Sequence, residues 1–479
     1  MEIRAVPPCD QRPATSPAKS GAGRIIAVAC LLVLLAAGLT GCDLTFLTPE
    51  AVPTSPLPTS TSEPQPIETA EPGVTTLVFW EPFALDRPQG LLLGEMVRDF
   101  EAENPDVAFE IVAKSGYAGL DGAMQGALLE GDLPDLAVAF PSMIAAYAAE
   151  GVVVPLDAYL ADPELGLTAE DLADIFPGYL QSGRLPAFGR QLLAFPFSQN
   201  AIGLWVNETL LRQAGWQHAP ATWAEFEQAC FDVAATSGAR CYPYVESVST
   251  FNAWLYSRGG RQLDPSGQRA VFNDLPGIES LALLIRLIEA GLAWRPEEPF
   301  GDYVAFANGQ AAFTFSSTGN SLLYVDAYDG AVRSGVAPFQ WRQTMIPQSD
   351  AANPATALYG ANFFIVRSDP FRQEAAWRFI RWFSEAPQSA RWSADLQSMP
   401  IRLSALDWMT DTLEAYPFFQ TQVEEILPYG QPEPAVAAEL EIRDILYTAI
   451  LTTTQGYLDP QTALDEAARE ANRILSSQP

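Results

Sequence analysis

From Thr48 to Gly73 the chain is a run of Thr, Ser and Glu broken by Pro49, Pro53, Pro56, Pro58, Pro64, Pro66 and Pro72. Such a stretch buries too little apolar surface to offset the entropy of ordering it. Everything that folds must lie to one side of it. Ahead of it the only apolar stretch is Ile25 to Leu39, preceded by Arg4, Arg12, Lys19 and Arg24. Basic residues followed by an apolar run shorter than a membrane span read as an export signal. All packing is therefore expected after Gly73, and the part of the 479 residues that remains is too long for one ordinary core. Two lobes are expected behind a leader and a disordered tether.

Charge narrows the partners. A net charge of −31 repels phosphate backbones, so no nucleic-acid partner is expected, and a large anionic substrate is disfavoured. Acidity does not name a ligand, because it also keeps exported proteins soluble. Of the five cysteines, Cys9 and Cys30 precede the expected cleavage point. Cys230 and Cys241 remain in the folded part, where an oxidising exterior permits a disulfide; two separate buried thiols are the alternative. No zinc-ligand spacing is present.

The apolar run ends in Leu39-Thr40-Gly41-Cys42, which resembles the bacterial lipobox. That resemblance implies a lipoprotein signal peptide over residues 1–41, lipidation of Cys42, and a tether over 42–73 that holds the protein to a membrane without spanning it.

The folded part begins as an α/β pattern: a strand over Thr75 to Trp80, an amphipathic helix to Asn104 stopped by Pro105, and a strand over Val107 to Val112. A helix around Leu120 to Glu130, a turn at Gly131-Asp132-Leu133-Pro134 and a strand to Phe140 repeat it. A strand from Gln191 to Phe195 ends at Pro196, and a new run starts with Gly203 to Val206. A helix over Trp223 to Ala235 is entered through Thr222. Ile278 to Ala290 is helical with Gly291 as its cap, and the last seventy or so residues are helices, including Ala435 to Leu451 and Pro460 to Leu475.

In order and spacing these pieces resemble the extracellular solute-binding proteins of family 1, the group of maltose-binding-like components of ABC importers. The segments concerned are Leu77-Val78-Phe79-Trp80, Gly131 to Leu136, Val154-Pro155-Leu156-Asp157, and Gly189 to Pro196. Further ones are Leu204 to Leu211, Pro220 to Phe226, Phe306 to Phe313 with Gly319, Ala375 to Gln388, and Met399-Pro400-Ile401-Arg402. The resemblance implies an α/β fold of the periplasmic-binding-protein type II: a two-lobe venus flytrap with three interlobe crossings near Pro196, Tyr359 and Met399. Lobe I is then 74–197 plus 360–396, and lobe II is 198–359 plus 397–479. Closure on a ligand would present a new surface to a membrane permease.

Ligand residues of such a scaffold are expected in loops facing the cleft. For a sugar they should be aromatic faces and hydroxyl-bonding side chains. The candidates are Trp80 and Glu81 past the first strand, Phe197, Ser198 and Asn200 at the first crossing, and Trp254 and Tyr256 before Gly259-Gly260. Ser317, Thr318 and Asn320 around Gly319, with Tyr359, Asn362 and Arg402 near the other crossings, complete the set. Each has a plain structural alternative: a core aromatic, a polar turn, an interlobe salt bridge at Arg402. A mono- or oligosaccharide is the expected solute; a polyamine, a peptide or glycerol phosphate on the same fold is the alternative. A Glu or Asp pair in the cleft would favour the polyamine, and an Arg and Lys cluster the phosphate.

An enzyme is not expected. The single histidine, His218, lies in a polar stretch before Pro220, and no G-x-S-x-G, P-loop or H-E-x-x-H occurs. No cofactor is implied, and a monomer facing the extracellular or periplasmic side of the membrane is expected.

Overall fold

The computed structural model describes residues 73–396 and 398–477. The expected signal peptide and Cys42, with nearly all of the tether, lie outside them. Ten strands occur among the described residues: β1 (Thr75–Glu81), β2 (Val107–Ala113), β3 (Leu136–Ala139), β4 (Phe195–Asn207), β5 (Tyr242–Pro243), β6 (Ala293–Trp294), β7 (Phe313–Ser317), β8 (Trp341–Thr344), β9 (Thr356–Ile365) and β10 (Gly430–Pro432). The main sheet runs β2-β1-β3-β9-β4-β7, with β10 added to β9 and β8 to β4.

Local chemistry explains the opening. The helix Pro88–Glu103 starts on a proline at its first turn, which costs no hydrogen bond there, and buries Leu92, Leu93, Met96, Val97 and Phe100 along one stripe. It returns the chain so that β2 lies parallel to β1. The next helix, Gly116–Glu130, is closed by Gly131 at φ 85°, a left-handed conformation that glycine adopts without a Cβ penalty. Thr222 caps the helix Trp223–Ser237 in a full capping box with Glu225. Thr222→Ala should cost about 1 kcal/mol, read as a lower urea midpoint at unchanged slope; no change in midpoint would mean that this helix is held by packing alone.

Two strands carry the chain between two cores. The first half of β4, Phe195 to Ala201, pairs antiparallel with β9, and its second half, Ile202 to Asn207, pairs with β7 and β8. One core gathers Leu77, Phe79, Phe100, Phe195, Phe363, Trp377 and Phe379 and extends to Ala201 on β4 and from Leu358 to Leu427. The opposite face of the same strands packs Trp80, Leu120, Tyr147 and Phe364. The second core takes up at Ile202, runs to Ala357, and is completed by Val436 to Ala471 from the terminal helices. The passages are therefore at Ala201/Ile202, at Ala357/Leu358, and between Leu427 and Val436.

Two sequence expectations change. Pro196 does not end a strand: β4 is continuous, and the missing N–H is absorbed by a shift of register between Pro196 and Ser198. The third passage lies at β10 and not near Met399, because Met399, Ile401, Ala405 and Met409 are buried in the first core with Leu77. Arg402 stays there too, its guanidinium bonded to the Ser384 carbonyl at 2.6 Å and to Asp171 at 2.7 Å. Cys230 and Cys241 are joined in a disulfide, with Cα atoms 4.8 Å apart.

Candidate functional site

Where the three passages meet, the structure leaves a cavity of about 330 Å³ whose walls come from both halves. Its floor is the crossing pair itself: Gln199 on β4, with Leu358, Tyr359 and Gly360 on β9. One wall is Phe140-Pro141-Ser142, where β3 turns into the helix Pro141–Ala149, together with Ser182. The other wall is Ser247 and Ser249, Pro432-Glu433-Pro434, and Glu439, Leu440 and Arg443. Pro432 and Pro434 hold the third passage extended past the cavity.

Gly360 lets the floor form. A Cβ there would stand 2.1 Å from the Ser198 carbonyl oxygen and 2.6 Å from the Gln199 Cα, so the two crossing backbones approach only because it is glycine.

The floor carries a locked amide. Gln199 is fully buried, and its Nε2 donates to the Asn362 Oδ1 at 2.6 Å and to the Ala361 carbonyl at 3.2 Å. Asn362 in turn donates to the Ser182 hydroxyl at 3.1 Å. Both partners of Nε2 are acceptors, one of them backbone, so the amide cannot be turned round. Its Oε1 is left without a partner. A buried acceptor in that condition costs free energy until something donates to it.

The far wall is ionic. Arg443 pairs with Glu433 and donates to the Ser249 hydroxyl at 3.1 Å. Asn252 donates to Glu433 at 3.0 Å and to Gln262 at 2.9 Å, while Gln262 donates to both carboxylate oxygens of Glu439, at 2.9 and 2.8 Å. Glu439 is buried. Burial, and then the neighbouring charge of Glu433, push its carboxyl well above the usual carboxylate range, against the lowering pull of the Gln262 bond and the Arg443 charge.

The structure distributes the expected site residues unevenly. Tyr359 lines the cavity, and Asn362 acts through Gln199. Ser198 and Asn200 flank Gln199 on the strand and so face the other way; Asn200 lies against Thr318, and Ser317 accepts from the Gly319 N–H. Asn320 donates to Tyr303 and Ser316 at 3.1 Å each. Four candidates are packed side chains. Phe197 lies 4.8 Å from the ring of Phe363, and Trp80 is buried beneath Lys114, whose Nζ sits 3.6 Å from the ring centre. Trp254 packs 4.6 Å from Trp223, and Glu81 is fully buried at the end of β1. Tyr256 lines a second cavity of about 380 Å³ behind Pro432 to Pro434, with Arg184, Arg190 and Arg261.

Sequence reasoning missed Gln199, Glu433, Glu439 and Arg443. The spacing of Glu439 and Arg443, four apart on a helix, reads as a solvated pair unless the helix packing is known.

Known proteins bear on this geometry. The sequence profile of the bacterial extracellular solute-binding proteins matches residues 95–421. Binding proteins of Brucella abortus and Brucella suis are 21% identical over 393 residues, 80% of this chain and 89% of theirs. Among solved structures, the cyclic α-maltosyl-1,6-maltose binding protein from Arthrobacter globiformis superposes at a TM-score of 0.71 with 21% identity, over 85% of this chain and 100% of that one. The sugar-binding protein MalE from Xanthomonas citri gives 0.72 at 20% identity, over 84% and 98%. UgpB from Mycobacterium tuberculosis, solved with glycerophosphocholine, gives 0.65 at 19% identity, over 84% and 99%. At such identities the likeness speaks for the fold: a mixed α/β fold of the periplasmic solute-binding type.

Proposed function

This chain belongs to the bacterial extracellular solute-binding proteins, and on that premise we propose that it is the capturing component of an ABC importer, closing two lobes on a carbohydrate and handing it to a membrane permease. A member of this family is a binding protein, not an enzyme, and works outside the cytoplasm. We read residues up to Ala201, with Leu358 to Leu427, as one lobe and the remainder of the folded chain as the other. Cys42 is the proposed lipid anchor, and the protein acts as a monomer.

The observation that carries this reading is the cavity at the crossings. It is bounded by both halves and floored by the two strands that connect them, so a ligand that touches both walls favours the arrangement in which the walls are close. Its volume stands near the lower end of the roughly 300–1,000 Å³ that ligand clefts span, which suits a small saccharide. Phe140 supplies an aromatic face, and Ser142, Ser247 and Ser249 hydroxyls. The helix at Pro141 begins without a side-chain cap, so its first N–H groups are free for a ligand oxygen.

The test is thermal melting of the purified protein against mono- and oligosaccharides, polyamines, peptides and glycerol phosphates. A ligand that binds only the folded chain raises the midpoint by mass action, by about 2.7 kcal/mol of stability at a hundredfold excess over Kd. A rise confined to saccharides is expected. A rise with polyamine or glycerol phosphate alone would discard the carbohydrate and keep the binding protein.

A further inference from the structure

Phe418 belongs to both halves. It packs against the first core and also against the small cluster of Trp205, Phe306 and Tyr324 beside the second half of β4. Its ring lies 5.5 Å from that of Trp205 and stacks at 6.2 Å on Trp341. One turn later Gln422 is fully buried, and its Nε2 donates to the Ser321 hydroxyl at 2.6 Å and to the Gln343 side-chain oxygen, both in the second half. Gln343 in turn donates to the Ser316 carbonyl at 3.2 Å and lies over Gly203, where a Cβ would meet its amide nitrogen at 2.7 Å. Phe419, Val423 and Ile426, on the neighbouring face of the same segment, are fixed in the first core. The segment winds here as a π-helical turn, Gln422–Ile426.

This seam lies across the strands from the cavity, and none of its residues lines it. Ile202, Leu204 and Val206 point into the second core with the helices Val248–Tyr256 and Glu439–Thr454, which bring Ser249, Glu439 and Arg443 to the cavity wall. Side chains alternate along a strand, so Gly203 and Trp205 face the other way, toward Gln343 and Phe418. In the first half the cavity wall comes from the helix Pro141–Ala149, packed with Trp80 and Phe364 on one face of the strands. Phe419 and Val423 pack on the opposite face, with Leu77 and Phe363.

We propose that the seam made by Phe418 and Gln422 is a brake on lobe closure. A rotation about the crossing strands that draws the cavity walls together must part the seam on the far face. Its free energy is therefore subtracted from the affinity for the solute, by residues outside the cavity. This rests on the lobe-closure reading above and adds to it the contacts that hold the lobes apart. The seam can yield, because Gln422 Oε1 is buried without a partner and gains one from water when the halves separate.

Hydrogen–deuterium exchange on the purified full-length protein, without ligand, would compare wild type with two variants. Gln422→Leu keeps the volume but donates nothing, and Phe418→Ala truncates a partly buried ring. Each should exchange about tenfold faster over 318–324 and 341–345, and about threefold slower over 141–149, 247–252 and 439–443. The opposite signs matter, since a merely structural seam would loosen both faces. Faster exchange on both faces, or cavity walls unchanged in both variants, would overturn the proposal. Wild type in excess maltose should reproduce the pattern, with protected walls and a faster seam. Protection of the walls by maltose with the seam undisturbed would overturn the brake and keep the carbohydrate reading. No effect of maltose, together with opposite signs in the variants, would keep the brake and count against the carbohydrate.

Discussion

Gly360→Ala should destabilise the protein by roughly 4 kcal/mol, because the clash is between backbones and no rotamer change relieves it. The added Cβ would meet the Ser198 carbonyl oxygen at 2.1 Å and the Gln199 Cα at 2.6 Å, within the strand pair that joins the two halves. To make room, β4 and β9 must separate where Gln199 pairs with Gly360, which also dislodges the Gln199 amide from Asn362 and Ala361. Stability and ligand binding should therefore fall together. Gly126 is the matched control: it lies inside the helix Gly116–Glu130, a Cβ there meets nothing within 4 Å, and Gly126→Ala should raise stability by up to about 1 kcal/mol through better helix propensity. Urea denaturation of both variants decides. A Gly360→Ala protein as stable as its parent would mean that the two crossing strands part easily, and that the crossing is not the tight element described above.

The second large effect is in pH. Glu81 ends β1 fully buried; its Oε2 accepts from the Phe83 N–H at 2.5 Å, and its Oε1 has no partner. Burial raises its pKa from 4.5 to about 7, the Phe83 bond opposing. The native chain thus keeps a proton that the unfolded chain has already lost, and stability declines as pH rises from 4.5 to 7. The decline attributable to this group is roughly 3 kcal/mol, at about 1.4 kcal/mol per pKa unit. Glu439 is shifted in the same direction, so the wild-type slope alone does not isolate Glu81. The difference between Glu81→Gln and wild type does. It should move in favour of the variant by up to about 3 kcal/mol between pH 4.5 and pH 8, whatever its value at the acid end. A difference that is flat with pH would show that Glu81 ionises freely.

Much of the architecture was legible in the residues. The strand, helix, strand opening, the Gly131 stop, the Thr222 start and the terminal helix from Pro460 all follow from local chemistry: caps, breakers and period. What escaped is what local chemistry does not encode. Met399-Pro400 looks like a crossing because proline breaks the preceding helix, yet an apolar side chain carries no mark of which core it will join, and Met399 and Ile401 joined the first. Pro196 looks like a strand end because its N–H is missing, and the partner strand absorbed the defect.

The site was harder for a related reason. Aromatics were favoured as stacking surfaces, but Phe197, Trp80 and Trp254 found neighbours in the cores, where their area is worth more. Alternation along a strand meant that Ser198 and Asn200 bracketed the relevant side chain without including it. Glu439 became visible only once the helix Glu439–Thr454 was seen packed against Gln262.

The discontinuity of the two cores also sets a timetable for folding. The core that begins at Leu77 is incomplete until Leu427 has been added, and the second waits for Ala471. A ribosome emitting the chain from its amino end therefore has neither core to close until nearly the whole length has been made, and the contacts that finish both are among the most distant in sequence. Each core thus takes members from the last part of the chain, Leu427 in the first and Ala471 in the second, and its packing is complete only when they are in place.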